Sequence, residues 1–245
     1  MKKKGYIWIG LPAFNEEIAI KKVLQSIIEI NRKINLKVII FNDGSKDKTV
    51  ENAKKFKKYL KIIIIDNMNN KGLGAGIFSL ISFFNKNGKL NDKLVLMDCD
   101  NTHDPKQIFQ MEKKINMNKN AVIIASRYQK NSQVNNVPFF RKRLSDIAFI
   151  VFNIFFRTKG IKDFTCGFRM YDKTSIKNFF CNLEKNYNPP NGFEMQLEIL
   201  LKLRKKNVLF DEIPIKLNYE KKPTESKMKV FKTIIDYLKL IFLKN

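Results

Sequence analysis

Short apolar, β-branched runs alternate with longer segments of helical periodicity along the first half of the chain. The short runs show little polar alternation, which is typical of strands buried on both faces of a sheet. This pattern predicts an α/β fold in which a mainly parallel sheet is covered by helices on both faces. The predicted strands are residues 6–11, 36–41, 61–65, 94–97 and 121–125, and the predicted helices are residues 16–30, 47–59, 72–86 and 105–116.

The pattern changes after Tyr128, where a polar stretch at residues 129–138 favours a mobile loop. In the last segment, apolar side chains recur on one helical face while lysines occupy the other positions, which is typical of an amphipathic helix. The elements predicted after the loop are helices at residues 141–157 and 193–206, a strand at residues 208–215 and a C-terminal amphipathic helix at residues 227–243.

The charge balance changes this picture by indicating the kind of partner. Lysines and arginines number 47 against 23 acidic residues, a formal net charge of +24, which favours nucleic acid, anionic lipid or phosphorylated substrates. The aromatic residues lie mostly in apolar runs, so we expect no nucleic-acid partner. No apolar run approaches the ~18 residues of a membrane span. Three scattered cysteines indicate neither a disulfide framework nor a cysteine zinc site, so we expect a cytoplasmic location.

Acidic side chains follow the first, second and fourth predicted strands. Glu16 comes after the first strand, Asp43 after the second, and Asp98 and Asp100 directly after the fourth. Ligands of open parallel sheets bind beyond the carboxyl ends of the strands, so these side chains are expected at one edge. In an extended chain Asp98 and Asp100 would point the same way, roughly 6.5–7 Å apart. Such a pair predicts a divalent cation, Mg²⁺ or Mn²⁺, shared with a substrate phosphate.

Four motifs occur in the order found in the inverting GT-A glycosyltransferases of family 2, which this chain resembles. They are Pro-Ala-Phe-Asn-Glu (12–16), Asn-Asp-Gly-Ser (42–45), Asp-x-Asp (98–100) and Ala-Ser-Arg-Tyr (125–128). Asp-Phe-Thr-Cys-Gly-Phe-Arg (163–169) and Glu-Ser-Lys (225–227) are similar to motifs of the dolichyl- and polyprenyl-phosphate sugar transferases. The resemblance implies transfer of a sugar from GDP-mannose or a UDP-sugar to a lipid phosphate.

The resemblance also implies a domain plan and a place in the cell. It implies a GT-A domain at residues 1–225, with a nucleotide-sugar half at residues 1–128 and an acceptor half at residues 129–225. The amphipathic helix would occupy residues 226–245. Because the implied acceptor is a membrane lipid, we expect the protein to lie peripherally on the cytoplasmic face of a membrane.

Roles can be carried over residue by residue. Asp98 and Asp100 match the metal and diphosphate carboxylates, and Thr102 stands where the family often has a glutamine metal ligand. Arg127, Arg141 and Arg169, together with Asp100, are the implied catalytic residues. The implied nucleotide-binding residues are Pro12, Phe14, Glu16, Asp43 and Asp98, with Lys71 approaching the nucleotide, and the implied acceptor-phosphate residues are Arg141, Ser145, Arg169 and Lys227.

Two alternatives concern the substrate. A lipid phosphate is already charged and needs no general base, whereas a saccharide hydroxyl needs one, for which Glu194 is the candidate. The alternative function is therefore transfer to a saccharide hydroxyl in surface polysaccharide synthesis. Glycines at 72, 74 and 76 also favour a dinucleotide-binding loop, but their spacing differs from that motif and Asp100 is left unexplained. We interpret these glycines as allowing close helix packing.

Overall fold

The computed structural model describes residues 5–181, 183–223, 233–237 and 239, without the side chains of Phe140 and Arg141. The strands are β1 (Ile7–Ala13), β2 (Leu36–Asp43), β3 (Ile62–Asn67), β4 (Lys93–Leu96), β5 (Ala121–Ser126), β6 (Gln133–Asn135), β7 (Arg169–Asp172), β8 (Leu209–Pro214) and β9 (Lys216–Asn218). The helices are α1 (Ala19–Asn31), α2 (Thr49–Lys55), α3 (Leu73–Asn87), α4 (Ile108–Asn116), α5 (Phe139–Phe155), α6 (Lys173–Phe180) and α7 (Glu194–Arg204). Single 3-10 turns lie at Phe56–Lys58, Pro105–Gln107 and Tyr219–Lys221.

Seven strands form the central sheet in the order β3-β2-β1-β4-β7-β5-β8. β7 runs antiparallel to both of its neighbours, and the remaining pairs are parallel. The mainly parallel sheet flanked by helices confirms the predicted fold class. The reason lies in the strand composition: all six residues of β5 are buried, and so are Ile7, Trp8, Ile9 and Leu11 in β1. Strands with both faces apolar need helices on both sides.

The burial pattern of the helices explains why they could be predicted from the spacing of apolar residues. In α1 the buried residues recur at a spacing of three or four, from Ile20 through Val23, Leu24 and Ile27 to Ile30. Asp104 begins the turn before α4, where its Oδ1 accepts a hydrogen bond from Lys106 N at 2.9 Å. The following Pro105 fills the first position of that turn, as the sequence predicts.

Three features differ from the sequence expectations. Neither β7 nor α6 is predicted from the sequence, although Met170 and Tyr171 of β7 are fully buried in the sheet. The polar stretch predicted as a loop contains β6, which pairs with β9 in a two-stranded sheet. Directly before β6, Ser132 Oγ donates to Ser126 O at 2.7 Å, so this stretch is bonded to the end of β5.

The C-terminal helix is partly described. Residues 233–237 and 239 are helical, and the ring of Tyr237 packs edge-on against Phe152 with centroids 5.2 Å apart. Lys227 lies outside the described residues. Within the described part of the chain, no helix combines the length and the hydrophobicity that crossing a membrane requires.

Candidate active site

The loops after β1 and β2 are bound together. Asn15 has a positive φ of 51°, and its N–H donates to Ser45 Oγ at 2.9 Å while its Oδ1 accepts from Lys46 N at 2.9 Å. Glu16 is buried, and its N–H donates to Thr49 Oγ1 at 2.7 Å. Pro12 lies near the end of β1 and Phe14 directly follows the strand, and both side chains are half-buried. The predicted nucleotide-binding loop is therefore held at the carboxyl edge of the sheet, beside the end of β2.

Asp43, the last residue of β2, fixes the backbone that leads into α3. Its Oδ1 accepts from Lys71 N at 2.8 Å and its Oδ2 accepts from Gly72 N at 2.8 Å. Gly72 has a φ of 92°, and a Cβ there would lie 2.3 Å from Asn191 O, so a glycine is required. The packing role proposed for the glycines is seen in this contact. Asp43 therefore sets the position of Lys71 at the edge where the nucleotide is expected.

The acidic pair after β4 lies in a turn. β4 ends at Leu96, residues 99–101 bend, and Asp100 Oδ1 accepts from Thr102 N at 3.1 Å and from Thr102 Oγ1 at 2.7 Å. Asp98 and Asp100 therefore do not have the separation given for an extended chain, because the chain bends at residues 99–101 and the Asp100 carboxylate accepts a hydrogen bond from the N–H of Thr102. Both carboxylates still follow the same strand, next to β1.

Electrostatics distinguish the two acids. Burial raises the pKa of Asp98, and the negative charge of Asp100 raises it further. Burial also acts to raise the pKa of Asp100, but the Lys222 ammonium outweighs it and holds that pKa below its usual value. Lys222 Nζ lies 2.8 Å from Asp100 Oδ2. No pattern in the sequence indicates this contact, because the two residues are 122 positions apart.

The donor set fits a metal ion that is shared with a substrate. Mg²⁺ takes one or two carboxylates and completes its shell with water and phosphate oxygens, and Asp98 and Asp100 are two such carboxylates. Among the described residues, no three His, Cys, Asp or Glu side chains come together as a complete metal cage. Thr102 is buried and its hydroxyl donates to Asp100, so it orients that acid. Its place among the metal ligands stays a prediction.

Arg127 forms the centre of a second polar cluster beyond the end of β5. Its Nε donates to Asp163 Oδ2 at 2.8 Å and its Nη2 to Asp163 Oδ1 at 2.6 Å, while Nη1 donates to Ser145 Oγ and Nη2 also to Thr165 Oγ1. Burial acts to raise the pKa of Asp163, but Arg127 lowers it below its usual value. Arg127 and Ser145 are thus brought together as the resemblance implies, and Asp163 is the partner that sequence reasoning left without a role.

Arg169 lies deeper than the resemblance implies. It is fully buried in β7, where Nη1 donates to Gln196 O and Nη2 donates to Phe164 O at 2.7 Å. These bonds hold the segment before β7 against α7, and a direct phosphate contact from Arg169 has no support in this geometry. The described structure does not include the side chain of Arg141 or any part of Lys227, so their roles stay predictions.

One segment, residues 163–169, lies between the turn that contains Asp98 and Asp100, called the acidic turn below, and the polar cluster around Arg127. Asp163 binds Arg127, and four residues later a Cβ on Gly167 would lie 3.5 Å from Asp98 Oδ1 and 3.3 Å from Gln196 Nε2. Residues 163–169 therefore contact both polar groups. A mostly parallel sheet with an Asp-x-Asp turn and a neighbouring polar cluster around Arg127 at its carboxyl edge is the arrangement of a GT-A glycosyltransferase. Residues 8–180 match the family described as glycosyl transferase family 2, and the chain belongs to that family.

Named relatives are similar over nearly the whole chain. A dolichol-phosphate mannosyltransferase of Pyrococcus furiosus is 30% identical over 95% of this chain and 61% of that protein, so the chain spans about three fifths of its length. A dolichyl-phosphate beta-glucosyltransferase, ALG5D of Trichomonas vaginalis, is 25% identical over 98% of this chain and 74% of that protein.

The fold is shared with a solved enzyme structure. Glucosyl-3-phosphoglycerate synthase from Mycobacterium tuberculosis, in complex with Mn²⁺, UDP and glucosyl-3-phosphoglycerate, has a TM-score of 0.63. The match covers 97% of this chain and 77% of that chain at 14% identity, and it shows the fold alone.

Proposed function

We propose that this chain transfers a sugar from a nucleotide-diphosphate sugar to a polyprenyl or dolichyl phosphate, with inversion at the sugar carbon and with Mg²⁺ or Mn²⁺. The observation that carries the proposal is the shared contact of residues 163–169 with Asp98 on one side and Arg127 on the other. Such a segment brings a diphosphate site next to a cationic site. Similarity to two dolichyl-phosphate sugar transferases, and the fold shared with a synthase that holds Mn²⁺ and UDP, support it.

The donor half of the reaction depends on neutralising the leaving diphosphate. Asp98 and Asp100 would hold the divalent ion, which would act as a Lewis acid on the departing phosphate oxygens. Thr102 fixes the orientation of Asp100. The nucleoside side of the site is formed by Pro12, Phe14, Glu16 and Asp43. The Asp43 carboxylate positions Lys71 there. Asp98 lies on the diphosphate side.

The acceptor half depends on Arg127. A guanidinium has five N–H donors, and four of them are used by Asp163, Ser145 and Thr165 among the described residues. The remaining donor on Nη1 is available for an incoming phosphate. Asp163 keeps Arg127 in one orientation and charged, because it raises the pKa of Arg127 against the effect of burial. Arg141, Ser145 and Lys227 complete the proposed phosphate site; the acceptor itself is a dianion that needs no base.

One observation favours the alternative function, transfer to a saccharide hydroxyl. Glu194 begins α7 and is buried; its Oε1 accepts from Gly192 N at 2.9 Å, while its Oε2 has no hydrogen-bond partner among the described residues. A buried carboxylate oxygen without a partner is a reasonable general base.

Acceptor specificity distinguishes the two functions. Purified protein is given a panel of GDP- and UDP-sugars with Mn²⁺, and either a short polyprenyl phosphate or an oligosaccharide. We expect product only with the polyprenyl phosphate, and Glu194→Gln should keep most of that activity. Product only with the oligosaccharide, abolished in Glu194→Gln, would establish the alternative.

A lipid acceptor also requires approach to a membrane, and α5 offers a surface for it. Phe139, Ile147, Ile150, Ile154 and Phe155 are all exposed on this helix. Exposed basic residues lie at both ends, Lys142 and Arg143 at one and Arg157 and Lys159 at the other. An apolar stripe flanked by cations is typical of helices that lie in the interface of anionic bilayers.

Vesicle flotation tests this surface. Ile154→Glu should lower binding to vesicles containing anionic lipid by about threefold or more, because it places a charge within the apolar stripe. Leu90→Glu is the matched control, since Ile154 and Leu90 are both 70% exposed and Leu90 lies far along the chain, after α3. An equal loss in the two variants, or none in either, would remove α5 from the proposal.

A further inference from the structure

Lys222 places an ammonium group on one of the two acids of the proposed metal site. Its Nζ lies 2.8 Å from Asp100 Oδ2, and both side chains are only 16% exposed. Most surface lysines keep their ammonium in water, so a lysine this enclosed at a carboxylate is a specific contact. Thr102 occupies the other oxygen of Asp100, so Lys222 holds the oxygen that a metal would need.

The backbone around Lys222 is fixed against the same turn. Asn218 N donates to Thr102 O at 3.1 Å, and Asn101 Nδ2 donates to Lys221 O at 3.2 Å. Leu217 forms a β-bridge with His103. Residues 217–222 therefore lie along residues 101–103, directly after Asp100, and are bonded to each of these three residues. The position of Lys222 follows from this docking rather than from a chance side-chain conformation.

An ammonium and a divalent ion that approach the same carboxylate oxygen compete for its negative charge. Metal–oxygen distances are about 2.0–2.6 Å, so a metal on Asp100 Oδ2 would lie within a few ångströms of Lys222 Nζ at its present position. Two cations that close repel strongly in a partly buried site. We therefore expect binding of the metal at Asp100 Oδ2 to weaken or break the Lys222–Asp100 contact.

Resting on the proposed function, we propose that Lys222 is an intramolecular counter-ion that occupies the Asp100 metal position until a metal–diphosphate complex displaces it. The ammonium offsets part of the repulsion between Asp98 and Asp100 before substrate arrives. A metal alone binds weakly, because it must break the Lys222–Asp100 pair. A metal with a nucleotide diphosphate binds more strongly, because the displaced ammonium gains a phosphate partner. Metal and nucleotide affinity are thus coupled through Lys222, and the coupling is reciprocal.

Manganese binding to the nucleotide-free protein tests this proposal. Free Mn²⁺ is measured by electron paramagnetic resonance in wild type, Lys222→Met, Lys222→Arg and Lys221→Met. We expect Lys222→Met to bind Mn²⁺ about five- to tenfold more tightly than wild type at low ionic strength. Lys222→Arg keeps the charge and should resemble wild type. Lys221→Met removes the same charge from the exposed neighbouring residue and should change the affinity little.

A second titration measures the coupling. With GDP or UDP present, wild type should gain more Mn²⁺ affinity than Lys222→Met does, because only wild type has an ammonium to release. Equal Mn²⁺ affinity in wild type and Lys222→Met, with nucleotide-dependent binding intact, would overturn the counter-ion role alone. If neither wild type nor any variant bound Mn²⁺ even with nucleotide, the metal site of the proposed function would be wrong. The proposed displacement of Lys222 by the metal would then be wrong as well.

Discussion

Replacing Asp100 with asparagine should reduce turnover by about 10²–10³, the usual effect of losing one strong electrostatic stabiliser of a transition state. Asparagine keeps the shape of the side chain, and its oxygen still accepts the Thr102 hydrogen bonds that form the turn. What disappears is one of the two negative charges that we propose hold the divalent ion. The measurement is the rate of sugar transfer as a function of Mn²⁺ concentration, and the variant should need far more metal to reach its lower maximum.

Asp104→Asn is the matched control for that change. Asp104 follows Asp100 by four residues, and its carboxylate only caps the turn that precedes α4, where it accepts from Lys106 N at 2.9 Å. The same loss of charge at Asp104 should leave turnover within a few fold of wild type. Wild-type turnover and wild-type metal dependence in Asp100→Asn would show that the acidic turn does not hold the ion.

The strand ends explain why so much of the donor side was predictable from sequence. Continuous apolar runs predicted β1, β2 and β4, and the rule that parallel strands share a carboxyl edge then placed Asp43 and Asp98 together. These inferences use only local patterns and one general rule of topology. They needed no knowledge of the loops, and in the sheet β2 and β4, which precede the two acids, lie on either side of β1.

The acceptor side was harder, because its contacts join distant segments. Asp163 binds Arg127 across 36 residues and Lys222 binds Asp100 across 122, and no periodicity in the sequence pairs such positions. β7 was not predicted because it is only four residues long and begins with an arginine, a residue type that usually lies on the surface. Burial of Arg169 is possible only because backbone carbonyls of Phe164 and Gln196 accept its hydrogen bonds.

Replacing Asp163 with alanine should lower the free energy of unfolding by about 3 kcal/mol, the low end of the range for breaking one side of a buried ion pair. Asp163 is fully buried, and the Arg127 side chain is 22% exposed, which allows water to recover part of the loss. The variant leaves a buried guanidinium without its bidentate partner. Urea denaturation at pH 7 measures the change, with Arg127→Met/Asp163→Ala as the companion variant. Because the double variant removes both charges, it should be more stable than Asp163→Ala alone.

The difference in unfolding free energy between wild type and Asp163→Ala should depend on pH in one direction. The pKa of Asp163 is lower in the folded protein than the ~3.9 of an unfolded aspartate. Its contribution is therefore fully present above about pH 5, and is lost as the pH falls through the folded-state pKa. The difference between wild type and Asp163→Ala should stay constant from neutral pH down to about 5 and shrink below 4. A gap that instead persisted undiminished at low pH would mean that Asp163 acts by filling space, and that the charge of Arg127 is held in place by other groups.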